Sequence, residues 1–170
     1  MGVQPRVLRF AADDGADSTI VAAAEGWPSQ GNRTALTLDA SADGLGLGRE
    51  EYELLMVGSA GGESVVDMVG NLALAVRAHR LIPAHGAIWE NALLGLIPNA
   101  SLRHALLVRP ILGDAGWIAS VADGTQVRWL QIVPITNDEL ALAASFTVDR
   151  LLRSFRAHGT RWDDLSRDTT

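Results

Sequence analysis

Histidine is the side chain here that is best suited to acid–base or metal chemistry, and the chain has four: His79, His85, His104 and His158. A zinc site needs three or four protein ligands that converge on one point. His79 and His85 flank Pro83, which ends a helix, so we do not expect them to share a helix face. Asp67 and Glu90 could complete a ligand set, but no spacing in the sequence requires it. We therefore predict that the chain has no metal site.

A serine next to a glycine and a glycine-rich loop are the next candidates for chemistry. Ser59 follows Gly58 directly, whereas a nucleophile elbow has one residue between the serine and each glycine. The glycines within residues 44–48 lack the spacing of a dinucleotide-binding loop between a strand and a helix. The chain has no cysteine, which excludes disulfides, thiolate metal sites and cysteine nucleophiles. We predict no catalytic residue, no cofactor and no enzymatic activity.

His85 and Glu90 leave one enzymatic alternative open. His85 precedes Gly86 in a predicted loop, and the simpler interpretation is a histidine hydrogen-bonded to local backbone. The alternative is a small hydrolase or ligand-binding enzyme that uses His85, Glu90 and the glycine-rich loop. A buried pocket that joins these residues would favour the alternative, and their dispersion over separate surfaces would exclude it.

Two tryptophans, Trp27 and Trp89, fall in predicted loops. A loop tryptophan is either anchored in the core or exposed as a binding anchor, because tryptophan is enriched among interface hot spots. We take Trp27, Trp89, His85 and Glu90 together as the candidate partner-binding residues.

The charge of the chain argues against nucleic acid as a partner. The net charge is −6, and all 14 basic residues are arginine. Phosphate backbones repel such a surface unless basic groups cluster. Arg150, Arg153 and Arg156 share one helix face, which we interpret as solvated. Glu51 and Glu53 share one strand face, and a solvated sheet edge explains them.

The length of 170 residues predicts a single domain that spans residues 1–170. We expect a core at about residues 6–157 and a frayed tail at 158–170. No uncharged apolar run reaches about 18 residues, so no membrane span is indicated. The first residues lack the apolar core of a signal peptide, and we expect a cytoplasmic location.

The order of the predicted elements determines the fold class. Strands are expected at residues 6–10, 19–24, 34–39, 52–57 and 102–109, a hairpin pairs 117–121 with 127–133 about Asp123-Gly124, and helices cover 64–80 and 137–157. Strands in series with only two long helices favour an α+β fold, a mixed or antiparallel sheet packed by those helices. Residues 34–39 could offer an exposed strand edge to which a partner adds a strand.

Residues 127–142, VRWLQIVPITNDELAL, join a strand, a proline and a capped helix. The strand is rich in β-branched and aromatic residues and has few polar ones, which indicates cover on both faces. Pro134 lacks an amide donor and is expected to end the strand pairing. Thr136 stands three residues before Glu139, the spacing of a capping box at a helix start.

The run LQIVPITNDELALA resembles the signature near the end of the suppressor-of-fused-like (SUFU) domain, a hydrophobic strand with Q-x-V-P-I-T before an acidic helix start. Residues 37–41 resemble the family's early T-L-G-L-S strand, 51–56 its E-L-L strand, and 102–110 the apolar strand before the signature. The similarity spans about residues 19–155. Asp39 stands where the family often has glycine, and residues 79–98 match poorly.

The resemblance implies a non-enzymatic module that binds another protein. Animal members of the family sequester transcription factors, and many bacterial members are thought to neutralise secreted toxins. The chain covers one such domain, so the resemblance favours a bacterial immunity protein that acts by occlusion of a toxin-like or regulatory partner. A homodimer through residues 93–97 is a further possibility.

Overall fold

The structure is a computed structural model, and it describes residues 4–12, 15, 17–43, 50–59, 64–78, 80–97, 99, 101–111, 118–120 and 126–167. Eight strands occur in this part of the chain: β1 (Arg6–Ala11), β2 (Ser18–Glu25), β3 (Asn32–Thr37), β4 (Glu50–Ser59), β5 (Ile88–Trp89), β6 (His104–Val108), β7 (Ile118–Ser120) and β8 (Gln126–Ile135). Three α-helices accompany them: α1 (Ser64–Arg77), α2 (Asn137–Ser145) and α3 (Val148–His158).

The strands form one mixed sheet in the order β1-β2-β3-β4-β8-β6-β5. Every pairing is antiparallel except that of β4 with β8, which is parallel. β7 pairs with the first residues of β8, so the predicted hairpin is confirmed, while Trp117 and the turn at Asp123-Gly124 lie outside the described residues. The expected α+β class with a mixed sheet is also confirmed.

Helix α1 covers one face of the sheet through the periodic apolar residues that predict it. Met68, Val69 and Leu72 are buried against Leu54 and Met56 of β4 in the larger core cluster. Burial of this apolar stripe stabilises the helix, because helices in proteins depend mainly on tertiary packing. The helix ends at Arg77, three residues before the predicted boundary.

The other face of the sheet packs against α2 and α3, which form two helices where we predicted one. Thr147 is extended, with φ −171° and ψ 158°, and its side chain accepts a hydrogen bond from the Arg150 amide at 3.3 Å. A threonine that caps a new helix start competes with helix continuation. Ala143 of α2 and Leu151 and Phe155 of α3 are buried in one cluster with Val133 of β8.

The segment that links β8 to α2 begins the helix as predicted, but the strand pairing at Pro134 differs from the prediction. The Thr136 hydroxyl accepts the Glu139 amide at 3.3 Å, and the Glu139 carboxylate accepts the Thr136 amide at 2.9 Å, which confirms the capping box. Pro134 does not end the pairing on both sides of the strand. Pairing with β4 stops at Ile132, whereas pairing with β6 continues to Ile135, since a proline needs to avoid only the side where its amide would donate.

Two expectations about exposed strands are wrong. Residues 34–39 are not a free edge, because β3 lies between β2 and β4. Glu53 is not on a solvated edge, because it is 2% exposed. Its carboxylate accepts hydrogen bonds from the Thr37 hydroxyl, from the Ala40 amide at 3.2 Å, and from the Ser41 amide and hydroxyl at 3.1 and 2.6 Å. These donors replace the water that a buried carboxylate loses.

The segment after α3 is not frayed over its described part, residues 160–167. Leu165 is 9% exposed and belongs to the core beside α1. The Asp163 carbonyl accepts the Ser59 amide at 2.9 Å, and its carboxylate accepts the Asn32 side-chain amide at 2.8 Å. Polar residues of this segment, which led us to expect fraying, form these hydrogen bonds to the sheet.

Candidate protein-binding site

Three of the four candidate residues lie on one end of the sheet, in the segment that runs along the outer side of β6. The Gly86 amide donates to the Leu107 carbonyl at 2.7 Å, and the Leu107 amide donates to the Ala87 carbonyl at 2.9 Å. The two residues of β5 then pair with Leu106 and Ala105. β5 is the last strand in the sheet order, so this segment forms an edge of the sheet.

Trp89 holds this edge to the core. It is 5% exposed, and its indole Nε1–H donates to the Ile82 carbonyl at 3.1 Å. Such a partner is usual for a buried tryptophan. Trp89 is therefore anchored in the core and is not an exposed binding anchor.

His85 is exposed at the end of the edge nearest Arg109. Its Nδ1 accepts the Arg109 backbone amide at 3.1 Å. A neutral imidazole that accepts at one nitrogen carries its hydrogen on the other, so Nε2 is the donor that the ring can offer to a partner. The simpler interpretation expected a bond to local backbone; the bond is to backbone, but its partner lies 24 residues further along the chain.

Glu90 is exposed at the opposite end of this edge, next to a series of hydrogen bonds that passes through the buried His104. Asn91, which has φ 56°, donates its amide to Nδ1 of His104 at 3.1 Å. The other ring nitrogen of His104 lies 2.8 Å from the Asn137 side-chain oxygen, and because Nδ1 accepts, Nε2 is the donor. His104 is 2% exposed. It ties the edge to the start of α2, a role that a lone histidine in an apolar strand did not predict.

The separation of His85 and Glu90 argues against the hydrolase alternative. His85 bonds to the residue after β6, and Glu90 lies beside the residue that bonds to the first residue of β6. Five strand residues span roughly 15 Å, which is too far for an acid and a base that share one proton. The glycine-rich loop and His79 lie outside the described residues. Within the described part of the chain, no three His, Asp or Glu side chains could hold a metal ion.

Trp27 belongs to a different part of the sheet. It is half-buried in the turn between β2 and β3, where its carbonyl accepts the Thr34 hydroxyl at 2.6 Å. β4 and β8 separate β3 from β6. The structure therefore does not bring Trp27 together with the other three candidates.

Apolar side chains accompany the two exposed polar ones at the β5 end. Ile82 is 68% exposed and Leu94 is 53% exposed, whereas Leu93 and Ile97 are core residues. In the segment proposed for a homodimer, residues 93–97, the first and last residues are thus buried and Leu94 and Gly95 are exposed. We call the exposed set of Ile82, His85, Glu90 and Leu94 the β5-edge surface.

The mixed sheet with one face under α1 and the other under α2 and α3 defines a class of α+β domain. The family model described as Suppressor of fused protein (SUFU) matches residues 35–168, and the chain belongs to the SUFU family. No curated protein matches the chain.

Solved structures of SUFU proteins share the fold. A putative SUFU homolog from Neisseria gonorrhoeae FA 1090 superposes with a TM-score of 0.71 at 19% identity, over 97% of this chain and 87% of that chain. A chain from the Sufu–Fu complex gives 0.68 at 14% identity, over 97% and 84%. Drosophila Suppressor of Fused gives 0.63 at 10% identity, over 98% of this chain and 42% of that chain. Among the described residues, no helix has the length and apolar character to cross a membrane.

Proposed function

We propose that this protein is a non-enzymatic module that binds another protein through the β5-edge surface. The observation that carries the proposal is an exposed set of two apolar and two polar side chains on a sheet edge. Hydrogen bonds to β6 and the buried indole of Trp89 fix that edge in place. Because β5 has a strand neighbour on one side only among the described residues, a partner strand could add on the other side, and the side chains around it would supply specificity.

Family membership supports a protein partner. A SUFU chain of the same fold was crystallised in a complex with Fu. The described residues here show no cluster that suits a metal and no pairing of His85 with Glu90 that suits acid–base catalysis. A binding role is therefore the function that this geometry supports best.

The finer form of the proposal is toxin neutralisation in the bacterial cytoplasm. The protein would cover the active site of a toxin and so prevent substrate entry. Its net charge of −6 would accelerate encounter with a basic toxin surface, because complementary charge raises association rates. A regulatory protein partner would use the same edge without the toxin chemistry.

A pull-down with the full chain as bait, against the products of neighbouring open reading frames, tests the proposal. We expect one product to bind and to lose its toxicity in the presence of the chain. Glu90→Arg with Ile82→Asp should weaken that binding by at least about tenfold, because a reversed charge and a buried carboxylate both oppose the contact.

Asp149→Arg with Ala141→Asp is the matched control, since it makes the same change in net charge at side chains that are exposed elsewhere, on α3 and α2. The control should leave affinity nearly unchanged. Equal losses in the two double variants would contradict the β5-edge surface, and no bound product would contradict the immunity role.

Two further variants address the remaining candidates. Trp27→Ala should weaken binding if the half-buried turn contacts the partner, and unchanged affinity removes Trp27 from the site. Trp89→Ala should lower stability by about 3 kcal/mol, so its effect on binding has meaning only beside an unfolding curve. Light scattering at monomer mass would dispose of the homodimer.

A further inference from the structure

Strand β1 forms the other end of the sheet, and one of its two sides is unpaired among the described residues. It pairs with β2 from Arg6↔Ala23 to Ala11↔Ser18 and has no second neighbour in the sheet order. At six residues it is longer than β5, which has two. Val7 is 62% exposed. An unpaired edge of this length presents free amides and carbonyls that can pair with another chain.

A cleft of about 520 Å³ lies between β1 and the start of α1. Its apolar lining includes Leu8, Phe10 and Val66. The ring of Phe10 is pressed against Gly70, where an added Cβ would lie 2.6 Å from it. This close approach seats β1 on α1 and fixes the wall of the cleft, so that side chains of an added strand would meet a preformed surface.

Arginines give this edge a positive character on a protein of net charge −6. Arg6, Arg9 and Arg33 all line the cleft. Arg33 is paired with Glu25, and Arg9 donates from Nε to the Ser18 hydroxyl at 3.2 Å. Arg6 and Arg9 take part in none of the ion pairs of the described residues. Asp67 is the remaining carboxylate of the lining.

We infer that β1 is a second docking edge, which binds an extended, carboxylate-bearing segment of a partner protein as an added strand. The inference deepens the proposed protein-binding function and rests on it. Backbone pairing with β1 would supply affinity, and alternate side chains would enter the cleft beside Leu8 and Phe10. Carboxylates on the opposite face would pair with Arg9, and one beyond the end of the added strand would reach Arg6, which shares the face of Leu8 and Phe10.

A second copy of this chain is a poorer occupant than an acidic segment. A two-fold antiparallel pair of β1 strands would gather Arg6 and Arg9 of both copies along one seam, and a register centred on either arginine would set it opposite its own copy. Like charges directly opposite each other across a strand pair are destabilising. The same two arginines therefore oppose self-association and favour a partner of opposite charge.

The test uses fluorescein-labelled synthetic peptides of about ten residues, the length of an added strand with short flanks. One alternates valine with glutamate and the other alternates valine with arginine. Anisotropy with the full chain should show binding of the valine–glutamate peptide, and hydrogen exchange should show protection of the β1 amides in its presence.

The double variant Arg6→Glu/Arg9→Glu should weaken this binding by at least about tenfold. The control Arg153→Glu/Arg156→Glu makes the same change in net charge at exposed positions of α3 and should change affinity little. Thermal unfolding of both variants excludes loss of folding as the cause.

Four results would overturn the inference: no binding of the valine–glutamate peptide, equal binding of both peptides, equal losses in the two double variants, or protection elsewhere than β1. Each of these leaves the pull-down result unaffected, because that experiment is scored on β5-edge variants. Conversely, peptide binding at β1 with no captured partner would contradict the immunity role alone.

Discussion

Arg167 binds Glu139 through two hydrogen bonds, from Nη1 to Oε1 at 2.6 Å and from Nη2 to Oε2 at 2.9 Å. The same guanidinium donates to the Pro134 carbonyl at 2.8 Å, and Oε2 also accepts the Thr136 amide. Arg167 therefore links the segment after α3 to the end of β8 and to the start of α2. The run that resembles the family signature, residues 130–143, is thus stabilised by an arginine that lies outside it.

Removal of that arginine should destabilise the fold. Arg167→Met should lower the free energy of unfolding by about 2 kcal/mol, because it leaves a largely buried carboxylate with fewer donors. The two side chains are 10% and 16% exposed. Urea unfolding measures the change. Arg161→Met is the control, since Arg161 pairs with Asp163 at 67% exposure and should cost less than about 0.5 kcal/mol. Equal losses of unfolding free energy in the two variants would show that the Arg167–Glu139 pair does not stabilise the fold.

Substitution of Glu53 tests the buried carboxylate on β4. Glu53→Gln should cost about 2 kcal/mol, because an amide NH₂ would face hydrogen-bond donors where an oxygen now accepts them. Glu51→Gln, two residues earlier on the same strand and half-buried, should cost less than about 0.5 kcal/mol. Guanidinium unfolding curves compare the two. A tolerated Glu53→Gln would mean that the side chain can turn out to water.

Gly70 tests the contact between α1 and β1. Alanine improves helix propensity by about 1 kcal/mol, but its methyl group would lie against the Phe10 ring, and overpacking costs about 1–3 kcal/mol. We expect a net loss of about 1 kcal/mol in Gly70→Ala. The loss should shrink in a Phe10→Leu background, and a double-mutant cycle measures the coupling. A stabilised Gly70→Ala would show that β1 moves freely on the helix.

Asp164 should titrate below the ordinary range for its type. The Ser166 hydroxyl at 2.6 Å and the Ser166 amide at 2.9 Å both donate to Oδ1, favour the ionised form and so lower the pKa of Asp164. A folded-state pKa below the unfolded one contributes stability that is present above the unfolded pKa and is lost as pH falls through the folded pKa.

Carboxyl NMR titration measures the Asp164 pKa directly. Ser166→Ala removes the hydroxyl donor and should raise the pKa of Asp164. An unchanged pKa of Asp164 would contradict the assigned cause.

Sequence reasoning succeeds here where the chemistry is local. The capping box needs only Thr136 and Glu139, and α1 follows from apolar residues within one helix. The resemblance to the family signature also rests on one short run.

Sequence reasoning fails where the partner is distant along the chain. Glu53 is buried by donors from residues 37–41, and the tail is held by Asn32, which contacts Asp163 across 131 positions. The position of β3 inside the sheet depends on neighbours that alternation does not encode. The same holds for the candidate site. A bond of His85 to local backbone was expected, but its partner Arg109 lies 24 positions away, and the two edges follow only from the strand order.

Strand β8 enters the sheet between β4 and β6, although β4 precedes it by α1 and three strands. During synthesis, the N-terminal half therefore emerges with one backbone edge of β4, residues 50–56, unpaired until residues 126–132 arrive. A ribosome that stalls before this point would release an incomplete sheet whose unpaired strand edge can pair with other chains. Late insertion of its central strand thus makes this fold dependent on completion of translation.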